Sequence, residues 1–199
     1  MSDFSPDDGS ALTDGVRRGD PLAFRQLFDQ LYGPVRRYAA SLVRDEAVAD
    51  DVVQEAFVRL WDRRARLEAA TPPRAWLYRT VRNLALNLRR DAATRQRLLS
   101  DPAVAETAAV PRPVTSPDDE VVGRDLGAQL TVLIEALPRR QREALLLSRV
   151  EGLSHAEVAA AMDCAPRTVN NHLVAALSSL RRWLAEAGTM VAAMLWWVS

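Results

Sequence analysis

The sequence predicts an all-α protein made of two small helical modules that a flexible linker joins. Apolar residues recur three or four positions apart through most of the chain, and no stretch alternates with the period of two that is typical of β-strands. A proline-rich stretch with little periodicity, residues 98–115, divides this helical pattern into two parts. The length of 199 residues suits two compact modules of this kind.

The first module is predicted over residues 20–97, after a polar and acidic lead at residues 1–19 that is expected to be irregular. A long helix with one apolar face opens the module, and the Gly33-Pro34 pair within it predicts a bend or a break. A second and a third helix follow, in the sequences VADDVVQEAFVRLWDRR and RAWLYRTVRNLALNLRRD. Residues 62–73 are predicted to form a loop, because the consecutive prolines at its end interrupt helical structure.

The second and third helices carry opposite charges. Five acidic residues and no basic residue lie between Asp45 and Glu55, whereas seven arginines and one acidic residue lie between Pro72 and Arg97. A negative and a positive surface on one module indicate two different partners. The second helix is predicted to bury Val53, Phe57, Leu60 and Trp61 and to expose Asp50, Asp51, Gln54, Glu55, Val58 and Asp62. The third is predicted to bury Leu77, Val81, Leu84 and Leu88 and to expose Arg79, Arg82, Asn83, Asn87 and Arg90.

Two aromatic residues of the third helix have different expected roles. Trp76 borders the apolar face, which favours a place in the core. For Tyr78, a place in the core and stacking on an unpaired base are both open.

The second module is predicted over residues 116–187. Ser116, followed by a proline and two acidic residues, is typical of a helix N-terminus. This helix is expected to end near Leu137, and the next helix, opened by a proline, is predicted to stop at Gly152. The apolar tail, residues 188–199, is too short to cross a bilayer; it suits either packing on the second module or contact with a partner or a membrane surface.

The sequence LSHAEVAAAMDCAPRTVNNHL has the pattern of a helix-turn-helix. Ser154 and Glu157 form a capping box at the start of the first helix, and Pro166 opens the second helix after a short turn. In this motif, the first turn of the second helix contacts base edges in the major groove of DNA. The candidate contacts are Arg167, Thr168, Asn170, Asn171 and His172. Two helices that pack tightly in a bundle would show the same periodicity.

Two long segments resemble one protein family. The sequence DPLAFRQLFDQLYGPVRRYAASLVRDEAVADDVVQEAFVRLWDRR, followed by AWLYRTVRNLALNLRR, looks like region 2 of an extracytoplasmic-function (group 4) sigma-70 family RNA polymerase sigma factor. The sequence LPRRQREALLLSRVEGLSHAEVAAAMDCAPRTVNNHLVAALSSLR looks like region 4. The two matches stand in the family's order between Asp20 and Arg182. The motifs RNLALN and VNNHL are similar to those of iron-citrate-type members.

The resemblance implies a subunit that binds core RNA polymerase and directs promoter recognition, DNA melting and initiation for a stress- or uptake-related regulon. The exposed residues of the second helix would dock on the clamp of the largest polymerase subunit. The −10 element of promoter DNA would be bound by Arg74, Arg79, Arg82, Asn83, Asn87 and Arg90, with the loop before them. The helix-turn-helix would bind the −35 element and contact the flap of the second-largest subunit. An anti-sigma factor is an expected partner, bound to the membrane in the iron-citrate subgroup.

Beyond its first turn, the second helix of the motif is weakly charged. It carries Val174, Ala175, Ser178 and Ser179, where many family members have basic residues. Such a helix would suffice as one contact among several on a subunit held by polymerase, as the resemblance implies.

Other classes of function fit less well. One cysteine, two histidines and no phosphate-binding glycine loop give no basis for an enzyme, a metal site, a cofactor or a small-molecule substrate. The N-terminus lacks the pattern of a secretion signal, so a cytoplasmic location is expected. The remaining alternative is a stand-alone helix-turn-helix regulator whose N-terminal helices dimerise. That alternative requires a more strongly charged DNA-binding helix and gives no reason for the acidic helix.

Overall fold

The computed structural model of the protein describes residues 6–67, 72–99 and 130–186, and every regular element within these ranges is helical. The predicted all-α class is confirmed for this part of the chain. The elements are α1 (Pro6–Arg18), α2 (Pro21–Val43), α3 (Glu46–Arg63), a 3-10 turn (Arg64–Arg66), α4 (Pro73–Leu99), α5 (helical residues 130–136), α6 (Arg139–Leu145), a π-helical turn (Leu146–Val150), α7 (His155–Met162) and α8 (Pro166–Glu186). None of the described helices has both the length and the apolar character that crossing a bilayer requires.

Residues 6–18 form α1, so the prediction of an irregular lead is wrong for them. Val16 is fully buried, and α1 packs against α2 and the 3-10 turn. A Cβ atom at Gly15 would lie 2.6 Å from the Cβ of Ala23. The close approach of α1 and α2 therefore depends on the missing side chain at residue 15.

The first long helix, α2, continues through Gly33 and Pro34, so the predicted break is absent. The helix begins at Pro21 after Asp20, whose side chain accepts a hydrogen bond from the Leu22 amide at 2.9 Å. An interior proline removes one backbone hydrogen bond, but burial of an apolar face on both sides of it offsets that loss. The buried residues of this face are Leu27, Leu31, Val35, Tyr38, Ala39 and Leu42.

Helix α4 is longer than the predicted segment 74–91, whereas α3 begins two residues before the predicted segment 48–64 and ends at Arg63. α3 and the 3-10 turn extend into the predicted loop at residues 62–73, of which residues 68–71 lie outside the described ranges. α4 begins at Pro73 and reaches the start of the predicted linker; residues 100–129, which include the rest of the linker and the predicted N-cap, also lie outside. Leu88 is 41% exposed, so the prediction that it faces the core is wrong.

The second module contains the predicted helix-turn-helix. Gly152 ends the preceding helical segment with a φ of +65°, as the sequence predicted. The capping box is confirmed: the Ser154 hydroxyl accepts a hydrogen bond from the Glu157 amide, and the Glu157 carboxylate accepts one from the Ser154 amide at 2.9 Å. Asp163, with a φ of 54°, turns the chain from α7 toward α8 at Pro166. The predicted tail at residues 188–199 lies outside the described residues.

The two modules pack against each other, chiefly through α4. This helix contacts α2 and α3 of the first module and α7 of the second module. Buried apolar residues from both modules form one continuous cluster. The position of α4 between the modules therefore decides which of its polar residues face solvent.

Candidate functional site

The helix-turn-helix presents its predicted contact residues at the start of α8. Val169 and Leu173 are buried and fix this turn of the helix on the core. The structure exposes Arg167, Asn170 and Asn171 and leaves Thr168 and His172 half-buried. Exposed amide and guanidinium groups on the first two turns can donate hydrogen bonds to base edges and to phosphates.

The predicted docking face of α3 is exposed, with one exception. Asp51, Gln54, Glu55, Val58 and Asp62 face solvent. Asp50 is half-buried, and its Oδ1 accepts hydrogen bonds from the Arg36 Nε at 2.5 Å and from the Tyr32 hydroxyl at 3.1 Å. The hydrogen bond from Arg36 holds the pKa of the Asp50 carboxyl below its ordinary value, while burial opposes this shift. Asp50 therefore fastens α3 to α2.

An apolar groove with a volume of about 510 Å³ lies beside this face. Its lining consists of Pro21, Phe24, Phe28, Gln54, Phe57, Val58 and Trp61. Phe24 packs on Trp61 and Phe28 packs on Phe57, with ring centroids 4.9 and 4.8 Å apart. Val58, at the groove, is 56% exposed. An exposed apolar surface of this kind marks a site for a partner.

Sequence reasoning missed the α2 side of this groove. Phe24 and Phe28 stand four residues apart and so share one face of α2, but both belong to the same periodic pattern as the core residues. Their partial burial distinguishes them from the core only once α3 is in place.

Three of the six residues predicted to bind the −10 element contact the second module. Arg82 is only 6% exposed, and its Nε donates a hydrogen bond to Glu143 Oε1 at 2.6 Å, so the prediction that Arg82 faces solvent is wrong. The remaining contacts join Arg79 to the Asp163 carboxylate and Arg74 to the Glu151 carbonyl oxygen. Asn83, Asn87 and Arg90 are exposed. Helical periodicity separates polar from apolar faces, but it does not show that a second module covers a polar face.

Two tyrosines complete the buried polar contacts between the modules. The Tyr38 hydroxyl donates to Glu143 Oε1 at 2.8 Å, and the Tyr78 hydroxyl donates to Glu151 Oε2 at 3.1 Å. Burial raises the pKa of both hydroxyls, and the carboxylate beside each adds to the effect. Tyr78 is fully buried, so of its two open roles the structure shows the place in the core. Trp76 is half-buried against the core, on the side that its sequence position favoured.

Glu151 sits among groups of both modules. Its Oε2 also lies 3.4 Å from the Arg37 Nη2. Burial raises the pKa of the Glu151 carboxyl, and the positive charge of Arg37 opposes this shift.

These features define a class of protein: an all-α protein whose second module carries a DNA-binding helix-turn-helix and whose first module offers a partner surface. Residues 27–95 match the family described as Sigma-70 region 2. Residues 127–180 match the family described as Sigma-70, region 4.

Known proteins resemble the chain over most of its length. The ECF RNA polymerase sigma factor SigL of Mycobacterium tuberculosis is 32% identical over 180 residues, which cover 89% of this chain and 98% of SigL. The structure of CnrH in complex with the cytosolic domain of CnrY is similar with a TM-score of 0.62 at 23% identity, over 89% of this chain and 97% of CnrH. The sigma factor RpoE, solved with the anti-sigma factor NepR from Bartonella quintana, gives a TM-score of 0.60 at 25% identity, over 81% and 96% of the two chains.

The chain belongs to the extracytoplasmic-function sigma-70 family. It is an RNA polymerase sigma factor, which directs transcription initiation with core polymerase on promoter DNA. The alternative of a stand-alone regulator is not favoured, because both sigma regions are present in one chain.

Proposed function

We propose that this sigma factor docks on the clamp of core RNA polymerase through the exposed face of α3 and the apolar groove beside it. The observation that carries the proposal is this groove, an exposed aromatic surface bordered by Gln54 and Val58 and flanked by carboxylates. A partner helix with one apolar and one basic face would cover the aromatic rings and pair with the carboxylates. Of the predicted docking residues, Asp51, Gln54, Glu55, Val58 and Asp62 act directly, and Asp50 positions α3.

The DNA-binding surfaces are the first two turns of α8 for the −35 element and α4 with the preceding loop for the −10 element. Arg167, Asn170 and Asn171 are exposed and so can enter a major groove, while Thr168 and His172 beside them are half-buried. On α4, Asn83, Asn87 and Arg90 are exposed. Engagement of the −10 element by Arg74 and Arg82 requires the second module to move away from α4, whereas Arg79, which is 49% exposed, is partly accessible in the packed arrangement. The second module also contacts the flap of the second-largest subunit.

An anti-sigma factor is the proposed regulator, and the proposed location is the cytoplasm. RpoE, whose structure contains the anti-sigma factor NepR, shares a quarter of its sequence and its fold with this chain. The motifs RNLALN and VNNHL support an iron-citrate-like subgroup with a membrane-bound anti-sigma factor and a stress- or uptake-related regulon. The role proposed for the chain is non-enzymatic, since binding and DNA melting need no catalytic group of its own.

Run-off transcription from a genomic promoter library tests the function as a whole. Initiation at a shared −10 and −35 pair is expected only when core polymerase and this protein are both present. If the protein by itself retards duplex DNA in a gel and adds no start sites to core polymerase, the proposal is wrong and a stand-alone regulator is the better interpretation.

The docking surface is tested with a matched pair of valine variants. Val58 and Val132 are 56% and 57% exposed, so neither Val58→Asp nor Val132→Asp disturbs a core. Val58→Asp places a charge at the apolar groove and should weaken binding to the isolated clamp at least tenfold, whereas Val132→Asp, on the module proposed to contact the flap, should leave clamp binding unchanged. Equal effects would exclude the groove as the docking site.

The −35 surface is tested on α8. Asn170→Ala and Asn171→Ala should each weaken promoter binding by about 1–3 kcal/mol if the amide makes a bidentate base contact. Ser178→Ala changes an exposed residue of the same helix outside the first turn and serves as the control. Unchanged start-site selection in both asparagine variants would contradict the assignment.

A further inference from the structure

A small polar cavity lies where the two modules meet, apart from the docking and DNA-binding surfaces. Its volume is about 200 Å³. The C-terminal end of α2, the middle of α4, and α6 contribute its lining. Four arginines are part of that lining: Arg44, Arg89, Arg139 and Arg142. Because both modules supply arginines, the complete lining exists only while the modules are packed together.

The positive charge of this arginine pocket is poorly balanced. Among the described lining residues, Glu143 is the one carboxylate; Arg82, outside the lining, pairs with its Oε1, while its Oε2 has no hydrogen-bond partner in the part of the chain that the structure describes. Within the described residues, the guanidinium groups of Arg44 and Arg139 have no hydrogen-bond or ion-pair partner. Arg89 donates one long hydrogen bond, of 3.5 Å, to a carbonyl oxygen of α2.

The arginines also act on one another. Burial and the nearby charge of Arg89 lower the pKa of the Arg139 guanidinium, although the Glu143 carboxylate opposes this shift. Burial and the charge of Arg44 lower the pKa of the Arg142 guanidinium in the same way. Arg142 is held in place all the same, because it donates hydrogen bonds to the carbonyl oxygens of Glu135 and Leu137. The other three arginines are exposed side chains, and an anion placed among mutually repelling cations is stabilised by all of them.

We propose that the arginine pocket binds a small phosphate-class anion and that the bound anion holds the two modules together. The guanidinium fork matches the geometry of phosphate oxygens, which favours a phosphate over a halide. The volume is below the roughly 300–1,000 Å³ of pockets for drug-sized ligands, so inorganic phosphate or pyrophosphate fits the size better than a larger molecule. A DNA duplex would not enter a cavity of this size.

Binding of the anion shifts the balance between packed and separated modules by mass action. If the separated modules do not bind the anion, the ratio of packed to separated chains rises by a factor of about eleven when the anion is at ten times its Kd. Because three α4 arginines contact the second module in the packed arrangement, the anion would oppose −10 binding. This last consequence rests on the proposed function, whereas the binding itself does not.

Thermal melting of the full chain tests the binding, with pyrophosphate titrated against sodium chloride at equal ionic strength. The melting temperature should rise saturably with pyrophosphate in the wild-type chain. Arg89→Gln and Arg139→Gln replace exposed side chains and should each raise the apparent Kd at least tenfold. Arg25→Gln, on the exposed surface of α2 outside the pocket, is the matched control and should behave as the wild type.

The variants also separate a binding role from a merely structural one. Without pyrophosphate, Arg139→Gln should melt at or above the wild-type temperature, because one repelling charge is removed; with pyrophosphate, the wild type should overtake it. In small-angle scattering, the radius of gyration of the chain with pyrophosphate should be equal to or smaller than its value without pyrophosphate. The proposal is overturned if the chain shows no saturable rise, if Arg25→Gln loses the rise as fully as the pocket variants, or if binding expands the chain. None of these readouts involves polymerase, so failure here is distinct from failure of the proposed function.

Discussion

Replacing Glu143 with glutamine should separate the two modules without unfolding either of them. In the packed arrangement, Glu143 Oε1 accepts hydrogen bonds from Arg82 of α4 and from the Tyr38 hydroxyl of α2. Both partners belong to the first module, whereas Glu143 belongs to the second. Loss of the negative charge therefore leaves Arg82 buried without a counter-charge, and separation of the modules returns it to water.

The magnitude follows from the burial of this pair. The side chains of Arg82 and Glu143 are 7% and 2% exposed, so water screens their interaction little. Breaking a buried pair by removing one partner costs about 3–5 kcal/mol. Glutamine still accepts a hydrogen bond, which places the expected cost at the lower end, about 3 kcal/mol. Since about 1.4 kcal/mol corresponds to a factor of ten, the ratio of packed to separated modules should fall on the order of a hundredfold.

Small-angle scattering and affinity for a single-stranded −10 oligonucleotide measure this effect. Asp163→Asn provides the comparison, because Arg79 and Asp163 also join the modules but are 49% and 74% exposed. An exposed pair contributes only about 0–1 kcal/mol, and asparagine tolerates the φ of 54° at this position. Glu143→Gln should therefore expand the chain and strengthen oligonucleotide binding, while Asp163→Asn should do neither to a comparable extent.

Two results would refute this reasoning. If Glu143→Gln stayed as compact as the wild type, the buried pair would not control the packing of the modules. If both variants expanded the chain equally, the difference in burial would not determine the strength of the two contacts.

Three further predictions concern stability. Gly15→Ala should lower the free energy of unfolding by about 1–3 kcal/mol because the new Cβ overpacks the α1–α2 contact. A Cβ at Gly33 would meet only the Arg37 Nη1 at 3.8 Å, an ordinary contact, so Gly33→Ala should raise the free energy of unfolding by up to about 1 kcal/mol. Denaturant unfolding measures both variants, and equal effects would contradict the close approach of α1 and α2. Ser154→Ala removes the capping box and should lower the free energy of unfolding by about 1 kcal/mol in the same assay. An unchanged free energy would mean that packing alone holds α7. Burial raises the pKa of Glu151 above its ordinary 4.5, so the cost of keeping this carboxyl ionised is present at neutral pH and is lost as the pH falls through the raised pKa. Glu151→Gln should remove this contribution, and the melting temperature should then rise less, or fall more, between neutral pH and pH 4.5 than in the wild type; identical profiles would assign the dependence to other groups.

Local signals in the sequence predicted those parts of the fold that local interactions determine. The capping box at Ser154, the stop at Gly152 and the start of α8 at Pro166 each depend on a few neighbouring residues, and each is confirmed. The continuity of α2 through Pro34 depends instead on burial of a whole helix face, which outweighs one lost hydrogen bond. The helix α1 escaped prediction because its burial depends on a glycine contact with α2.

For the functional surfaces, the sequence could not predict which polar helix faces the other module covers. Periodicity placed the exposed residues of α3 and the first turn of α8 on the surface, since each lies opposite a buried apolar stripe. The same reasoning placed Arg82 in solvent, where the structure has it buried against Glu143. Glu143 and Arg82 are 61 residues apart, and no local pattern links two positions at that distance.

The geometry of the packed chain also implies an order of events. The exposed face of α3 does not take part in the contact between modules, so polymerase can dock while the modules are packed. Arg82 is buried against Glu143 and Arg74 is held by the Glu151 carbonyl oxygen, so these two arginines bind DNA only after the second module leaves them. With 26 basic and 26 acidic residues, the free chain has no net charge that would attract DNA over a distance, and α8 beyond its first turn adds little. We therefore expect DNA binding to follow polymerase docking, which would keep the free subunit from occupying promoters alone.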